Sequence, residues 1–281
     1  MNEFKKAYKE SSLITTPEGL LGTKELVELI FEITAPDKII WMAADGIWTR
    51  GINNRYLNLL ITLPSATNEN RRCIRDKIEN VCLDHGIYVN VLVHTSNQLN
   101  NMMEQKPYFH HMIVNNCILL FDSEDSPVPE LRLHISEELR QQGESFLRRW
   151  HGMASIFYRT ATYNFGRSEY RMAAFMLHQT LENIYTSIYL VFTGYRPAIH
   201  NLAKLRKSTF AFSPLLENVF NERNAEDMHL FSLVKNAYVS ARYFEHFPIT
   251  KLECQILMCR VKKLLIISQY ICKKRIGKFV N

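Results

Sequence analysis

The stretch YRMAAFMLHQTLENIYTSIYLVFTGYRPAIHNLAKL, from Tyr170 to Leu205, decides the fold of the C-terminal half. Ala174, Leu177, Leu181, Ile184, Ile188 and Val191 recur at three- and four-residue spacing, one apolar face of a helix. Ala173, Met176, Thr180 and Ser187 widen that face with small or flexible residues, as a helix contacted on several sides requires. Gly194 follows the last apolar turn, where a left-handed residue can close a helix. Pro197 then bars simple continuation. The stretch therefore predicts a long buried helix over 170–192, a turn, and a second helix over 198–207. His178, Gln179 and Glu182 interrupt the apolar band. Buried polar groups are as a rule hydrogen-bonded. These three are therefore either satisfied interior groups or the lining of a small polar site for a nucleotide or partner.

Outward from this helix the pattern stays helical. Ser136 is a reasonable N-cap for a helix with Phe146, Trp150, Met153, Ala154, Phe157 and Ala161 on one face, broken at Gly166. Phe212 to Phe220 and Asp227 to Tyr243 continue it, the latter through Leu230, Leu233, Val234, Ala237, Tyr238 and Ala241. Thr250-Lys251-Leu252-Glu253 is a capping box. It opens a final helix with Leu252, Ile256, Leu257, Val261, Leu264, Leu265 and Ser268 inward. Lys273, Lys274, Arg275 and Lys278 suit the C-terminal end of that helix.

Ala173, Ala174, Phe175, Leu177, His178, Gln179, Leu181, Glu182 and Tyr185, then Gly194-Tyr195, Pro197 and His200-Asn201-Leu202, resemble the signature of the HEPN domain. That is a helical domain of prokaryotic nucleotidyltransferase-associated proteins. The resemblance covers roughly 137–272 and is reinforced by Ala237-Tyr238 and Ala241-Arg242-Tyr243. It implies an all-α bundle, a homodimer formed through it, and a nucleotide, RNA or protein partner in a toxin–antitoxin-like or defence context. Tyr185, Tyr189, Phe192 and Tyr195 are then candidates for a dimer interface or for the core. His178, Gln179, Glu182, Arg171, His200 and Arg242 are candidates for a polar cleft of that domain. Some members of the family are ribonucleases in which Arg and His, four to six residues between them, act on the scissile phosphate at a dimer interface. Arg171 with His178 and Arg223 with His229 have this spacing, whereas Arg242 and His246 have only three residues between them. About two such pairs are expected by chance in this chain, so spacing alone selects neither. Arg171 and His178 also lie in the second helix, and the family motif belongs to a late one.

The N-terminal half reads differently. A helix is expected from Lys24 to about Ile33, with Thr23 as N-cap and Leu26, Leu29, Ile30 and Ile33 on one face. Strands follow at 38–42, at 55–63 (RYLNLLITL) and at 88–94, with a helix over 69–85 closed by Gly86. Arg71, Arg72, Arg75 and Lys77 fall mostly on its outer face. A further strand is expected from Ile113 to Phe121, and a brief helix at Thr16-Pro17. This order resembles a minimal nucleotidyltransferase domain. In that family a Gly-Ser turn holds the phosphates, and three acidic residues on neighbouring strands hold two magnesium ions that neutralise the triphosphate. Here the turn falls at Ala43-Ala44 and Arg50-Gly51 matches the family's following Arg-Gly. The acidic positions fall at Tyr56, Asn58 and Asn90. Asn has the shape of Asp without its charge, and Asp45 is the only acid nearby. The resemblance therefore implies a degenerate domain without transferase activity; Mg²⁺ would enter only if other ligands had taken over.

DSEDSPVPE (Asp122 to Glu130), acidic and carrying two prolines, is the best domain boundary. The expected architecture is a two-domain α+β protein. Residues 1–125 form a degenerate nucleotidyltransferase-like α/β domain, and 130–281 an all-α HEPN bundle. The chain has 281 residues, 47% hydrophobic and 22% charged, with a net charge of +6. That balance suits a globular protein and permits nucleic-acid contact without demanding it. The six cysteines show no CxxC pairing and read as reduced core residues of a cytoplasmic protein. No Walker loop, GxGxxG, GxSxG or zinc-ligand spacing occurs, His110-His111 being merely adjacent, so no cofactor, metal or membrane partner is expected. The residues favour a non-enzymatic binding or regulatory protein, the alternatives being a HEPN ribonuclease or a nucleotidyltransferase with rearranged metal ligands.

Overall fold

Among the described residues, short runs rich in β-branched and apolar side chains build four strands between residues 38 and 122. They are seen in a computed structural model that describes residues 23–42, 56–64, 70–125, 136–197, 199, 201–243 and 248–280. By their contacts the residues fall into two units, Met1–His134 and Ile135–Asn281.

In the first unit the elements run α1 (Thr23–Ile33), β1 (Lys38–Trp41), β2 (Tyr56–Leu63), α2 (Arg71–Asp84) and β3 (Tyr88–Thr95). Then come α3 (Ser96–Gln105), α4 (Pro107–Asn116) and β4 (Ile118–Asp122). The sheet order is β3-β2-β1-β4. β1 is antiparallel to β2 and to β4, while β2 and β3 are parallel. A parallel pair needs a crossover, and α2 supplies it. Leu57, Leu59, Ile61 and Leu63 share one face with Ile39, Trp41, Val89 and Val91 and pack with Leu26, Val27 and Ile30 of α1 and Ile74, Ile78 and Cys82 of α2. Alternate residues point the other way, and there too Ile40, Met42, Asn58, Leu60, Thr62 and Asn90 are buried. Burial of both faces explains the almost unbroken apolar run of β2.

The strand expected from Ile113 to Phe121 divides: its first part, through Asn116, is the end of α4, and only Ile118–Asp122 is strand. Pro107 sits in the first turn of α4, and Tyr108, Phe109, Met112 and Ile113 recur at helical spacing and are buried. The Asn115 side-chain amide donates to the His111 carbonyl, 3.1 Å, and Cys117 is extended as the chain enters β4. α3 was not anticipated, although Thr95 and Gln98 form a complete capping box at its start. The N-cap reading of Thr23, the short helix at Thr16-Pro17 and Asp45 lie outside the described residues or side chains.

The second unit contains α5 (Ser136–Gly166), α6 (Tyr170–Thr193), α7 (Leu202–Phe210), α8 (Pro214–Glu217), α9 (Ala225–Tyr243), α10 (Lys251–Ile276) and a 3-10 turn, Gly277–Val280. α6 is the axis: α5, α7, α9 and α10 all pack on it. Ala174, Leu177, Leu181, Ile184, Ile188 and Val191 are fully buried. Gly194 closes the helix at φ +69°, its N–H donating to the Leu190 carbonyl at 2.8 Å.

Four expectations need correction here. Tyr185, Tyr189 and Phe192 are buried inside the bundle, Tyr189 and Phe192 against Phe212 with ring centroids at 5.6 and 5.0 Å. They fill the core and are not an interface. The second helix of the opening stretch begins at Leu202, capped by Asn201, and the helix expected over 212–220 is the single turn α8. Met153 and Leu252, expected inward, are 41% and 66% exposed. The cysteines are all free, but Cys73 and Cys259 are exposed. Burial pushes the Cys82 and Cys254 thiols up to about 11, and Cys272 is raised by burial as well. No helix among the described residues is long and apolar enough to cross a membrane.

Candidate functional site

The first candidate lies on the sheet. β2 and β3 run parallel with Tyr56 beside Tyr88 and Asn58 beside Asn90. The tyrosine rings tilt against each other at 5.8 Å. Two residues further in, Asn90 Nδ2 donates to Asn58 Oδ1 at 3.0 Å, and both amides are buried. The strand pairing thus brings together two of the three positions where carboxylates were expected. Carboxylates here would repel unless a cation lay between them; amides bond to each other and carry no charge. Ala43, Ala44, Arg50 and Gly51 lie outside the described residues. No group of three or more His, Cys, Asp or Glu that could hold a metal occurs among the described residues.

The second candidate is the polar band of α6. Arg171, His178 and Glu182 are seven and four residues apart, so they share one stripe of the helix. Seven residues also separate Arg171 from His178 by about 10 Å along the axis, so within one chain they do not converge on one phosphate. His178 is buried, and its Nδ1–H donates to the Val234 carbonyl of α9 at 3.0 Å. Its ring lies against Tyr238, centroids 5.1 Å apart. His178 therefore ties two helices together, the satisfied-interior alternative. Gln179 and Glu182 are half-buried, and the Gln179 carbonyl accepts from Asn183. His200 and the side chain of Arg242 lie outside the described residues, as does His246.

The third candidate joins the start of α9 to the start of α10. Arg223 and His229 are both exposed. Arg223 sits in a turn held by side-chain oxygens: its N–H donates to Asn221 Oδ1 at 2.9 Å, and Asn224 Oδ1 accepts from the Asp227 N–H at 3.0 Å. Asp227, buried, takes the Asn221 N–H at 3.0 Å and pairs with Arg260 at 2.7 Å. The turn that presents Arg223 is thereby fixed to α10. One and a half turns on, His229 Nε2–H donates to Glu253 Oε1 at 2.8 Å. Glu253 also accepts from the Thr250 N–H, 2.8 Å, in the capping box of α10. These bonds, that with His229 first, hold the Glu253 carboxyl below its usual range. An imidazole oriented by a carboxylate, six residues after an exposed arginine whose backbone turn is fixed, is an arrangement suited to proton transfer at a phosphate.

This bundle, with a long central helix closed by Gly194 and flanked by α5, α9 and α10, is what the family comparison recognises. Residues 147–269 match the HEPN domain. The match begins within α5 and ends within α10, so the first unit lies outside it. No curated protein matches the chain. Within the HEPN domain, Arg223 and His229 flank the start of a late helix, whereas Arg171 and His178 belong to the central one. The sequence marked Glu253 only as a helix cap; its second bond, to His229, comes from the packing of α9 on α10.

Also missed was Arg206 of α7, almost fully buried. Its guanidinium lies between Phe210 and Phe231, 4.7 and 4.6 Å from the ring centroids, and reaches Glu222 at 3.3 Å and the Phe220 carbonyl. Tyr185, wholly buried beside it, has its hydroxyl pushed up to about 12 by burial. Arg206 organises the core and is closed to ligands.

Proposed function

We propose that the protein acts on RNA through its HEPN domain, cleaving phosphodiester bonds at Arg223 and His229. The observation that carries this is the exposed His229 held at 2.8 Å by Glu253, six residues after an exposed arginine. In the step proposed, the ribose 2′-hydroxyl attacks the adjacent phosphorus as a base takes its proton. The bond to the 5′-oxygen breaks, an acid protonates that oxygen, and a 2′,3′-cyclic phosphate and a 5′-hydroxyl result. Arg223 faces the charge that builds on the phosphoryl oxygens. One imidazole per chain serves one of the two proton transfers, so two copies complete the pair.

A surface suited to that pairing begins beside Glu253. Leu252, Ile266 and Tyr270 are exposed on α10, and Met153, Ile156 and Tyr163 on α5. Two-fold closure is the commonest arrangement. Sedimentation at micromolar concentration should show a dimer that Ile266→Glu dissociates.

The N-terminal unit is read as a nucleotidyltransferase-like module without transferase activity. The order of α1, β1, β2, α2 and β3 supports the first part, and the Asn58–Asn90 bond the second. Labelled nucleoside triphosphates with Mg²⁺ or Mn²⁺ should give no transfer to RNA or protein. For cleavage, a single-stranded RNA incubated with the full chain should yield cyclic-phosphate ends. His229→Ala and Arg223→Ala should abolish them. RNA retained without cleavage by all three proteins would overturn the catalytic proposal in favour of a non-enzymatic binding protein.

A further inference from the structure

A second polar site lies at the other end of α10. There α10 and the following turn leave a groove of about 590 Å³ against α5, lined by Leu147, Arg148, His151, Gly152, Gln269 and Lys273 among others. Some twenty residues separate Glu253 from Lys273, about 30 Å along the helix axis, so this groove is distinct from the His229 site.

Its charge is unbalanced. Arg140, which also lines it, is held by Glu137 and Glu144. Arg148 and Lys273 have no ion-pair or hydrogen-bond partner among the described residues. Lys273 has a reason in the fold, since a cation in the last turn of a helix meets the dipole favourably. Arg148, in the middle of α5, has none. Leu147 and Ile276, both buried, form an apolar floor. His151 commits Nε2–H to the Leu265 carbonyl at 3.0 Å, which fixes the imidazole in the wall.

Gly152 sets the width of the groove on the α5 side. It sits inside a long helix, where glycine costs about 1 kcal/mol relative to alanine. No packing demands it, because a Cβ there would meet nothing within 4 Å. The same is true of Gly277 on the opposite wall. The two glycines leave the groove's walls without a side chain at 152 and 277.

We propose that this groove binds a nucleotide unit, with Arg148 and Lys273 on its phosphate. A guanidinium fork and an ammonium converging on one space suit phosphate. The apolar floor suits a base or ribose, and the volume falls within the range of small-molecule sites. The unit comes from a free nucleotide or from single-stranded RNA, which share this chemistry.

The test uses the full chain and two probes, a short fluorescent single-stranded RNA and ATP. The Arg148→Ala/Lys273→Ala protein should bind one of them at least about tenfold more weakly. If that probe is RNA, the slope of log affinity against log salt should fall by about 0.7, one single-strand phosphate contact. Gly152→Leu fills the groove without touching a charge and should weaken the same probe with an undiminished melting temperature. A change confined to ATP identifies a free nucleotide as the source, and one confined to RNA identifies the strand. Equal affinity of all three proteins for both probes, or no binding of either by the parent, overturns the groove. If RNA is still cut in a His229-dependent way in that case, the cleavage proposal stands alone.

Discussion

Two polar pairs in this protein bridge neighbouring elements at almost the same distance and do opposite things. Asn58 and Asn90 meet at 3.0 Å between β2 and β3, neutral and buried. His229 and Glu253 meet at 2.8 Å between α9 and α10, ionisable and open to solvent. The first satisfies two amides that would otherwise be orphaned in a β-sheet core, and leaves nothing to offer a ligand. The second orients a group that exchanges protons while leaving it within reach of a substrate. Exposure separates a structural bond from a usable one.

The contrast can be broken at its buried end first. Arg206→Ala removes a charge enclosed by Phe210, Phe231 and Glu222 in the same domain as His229. It should cost about 4 kcal/mol in urea unfolding, because it leaves a cavity between two rings and the buried Phe220 carbonyl without its donor. A loss below about 1 kcal/mol would mean that burial is not what divides these polar groups. Asn58→Asp comes next: a carboxylate facing the Asn90 amide inside the sheet should destabilise by about 3 kcal/mol at neutral pH. A melting temperature equal to the parent's would show the sheet site to be open, and the transferase assay would then be repeated on the variant.

At the exposed end, His229→Ala should change stability by about half a kcal/mol while abolishing RNA cleavage. Glu253→Gln keeps a side chain that can complete the capping box, so cleavage should fall several-fold with the melt nearly unchanged. The smallest effect concerns acid. The Glu253 carboxyl is lowered from its ordinary 4.5, chiefly by the bond from His229 and then by Thr250. Its stabilisation is fully present above pH 4.5 and fades as pH falls through the lowered folded value. The stability gap between parent and Glu253→Gln should close over that acid range, and a gap that persists at the lowest pH would locate the carboxylate's role elsewhere.

Local chemistry was enough to read most elements from the chain. The period of α6, the left-handed Gly194, the capping box at Thr250 and the alternation of β3 are encoded within a few residues, and they fold as read. α4 was misread because Ile113 and Val114 favour a strand locally, while Pro107 and the burial of Tyr108 and Phe109 decide for a helix. The inward assignments of Met153 and Leu252 failed because periodicity locates a stripe but not its width. The sequence alone established a helical domain with a HEPN signature and a sheet whose expected carboxylates are absent. Only tertiary structure set Asn58 against Asn90, enclosed His178 and Arg206, and laid His229 on Glu253. Each of those contacts joins residues that chain distance does not relate, through the register of a parallel strand pair or the docking of one helix on another.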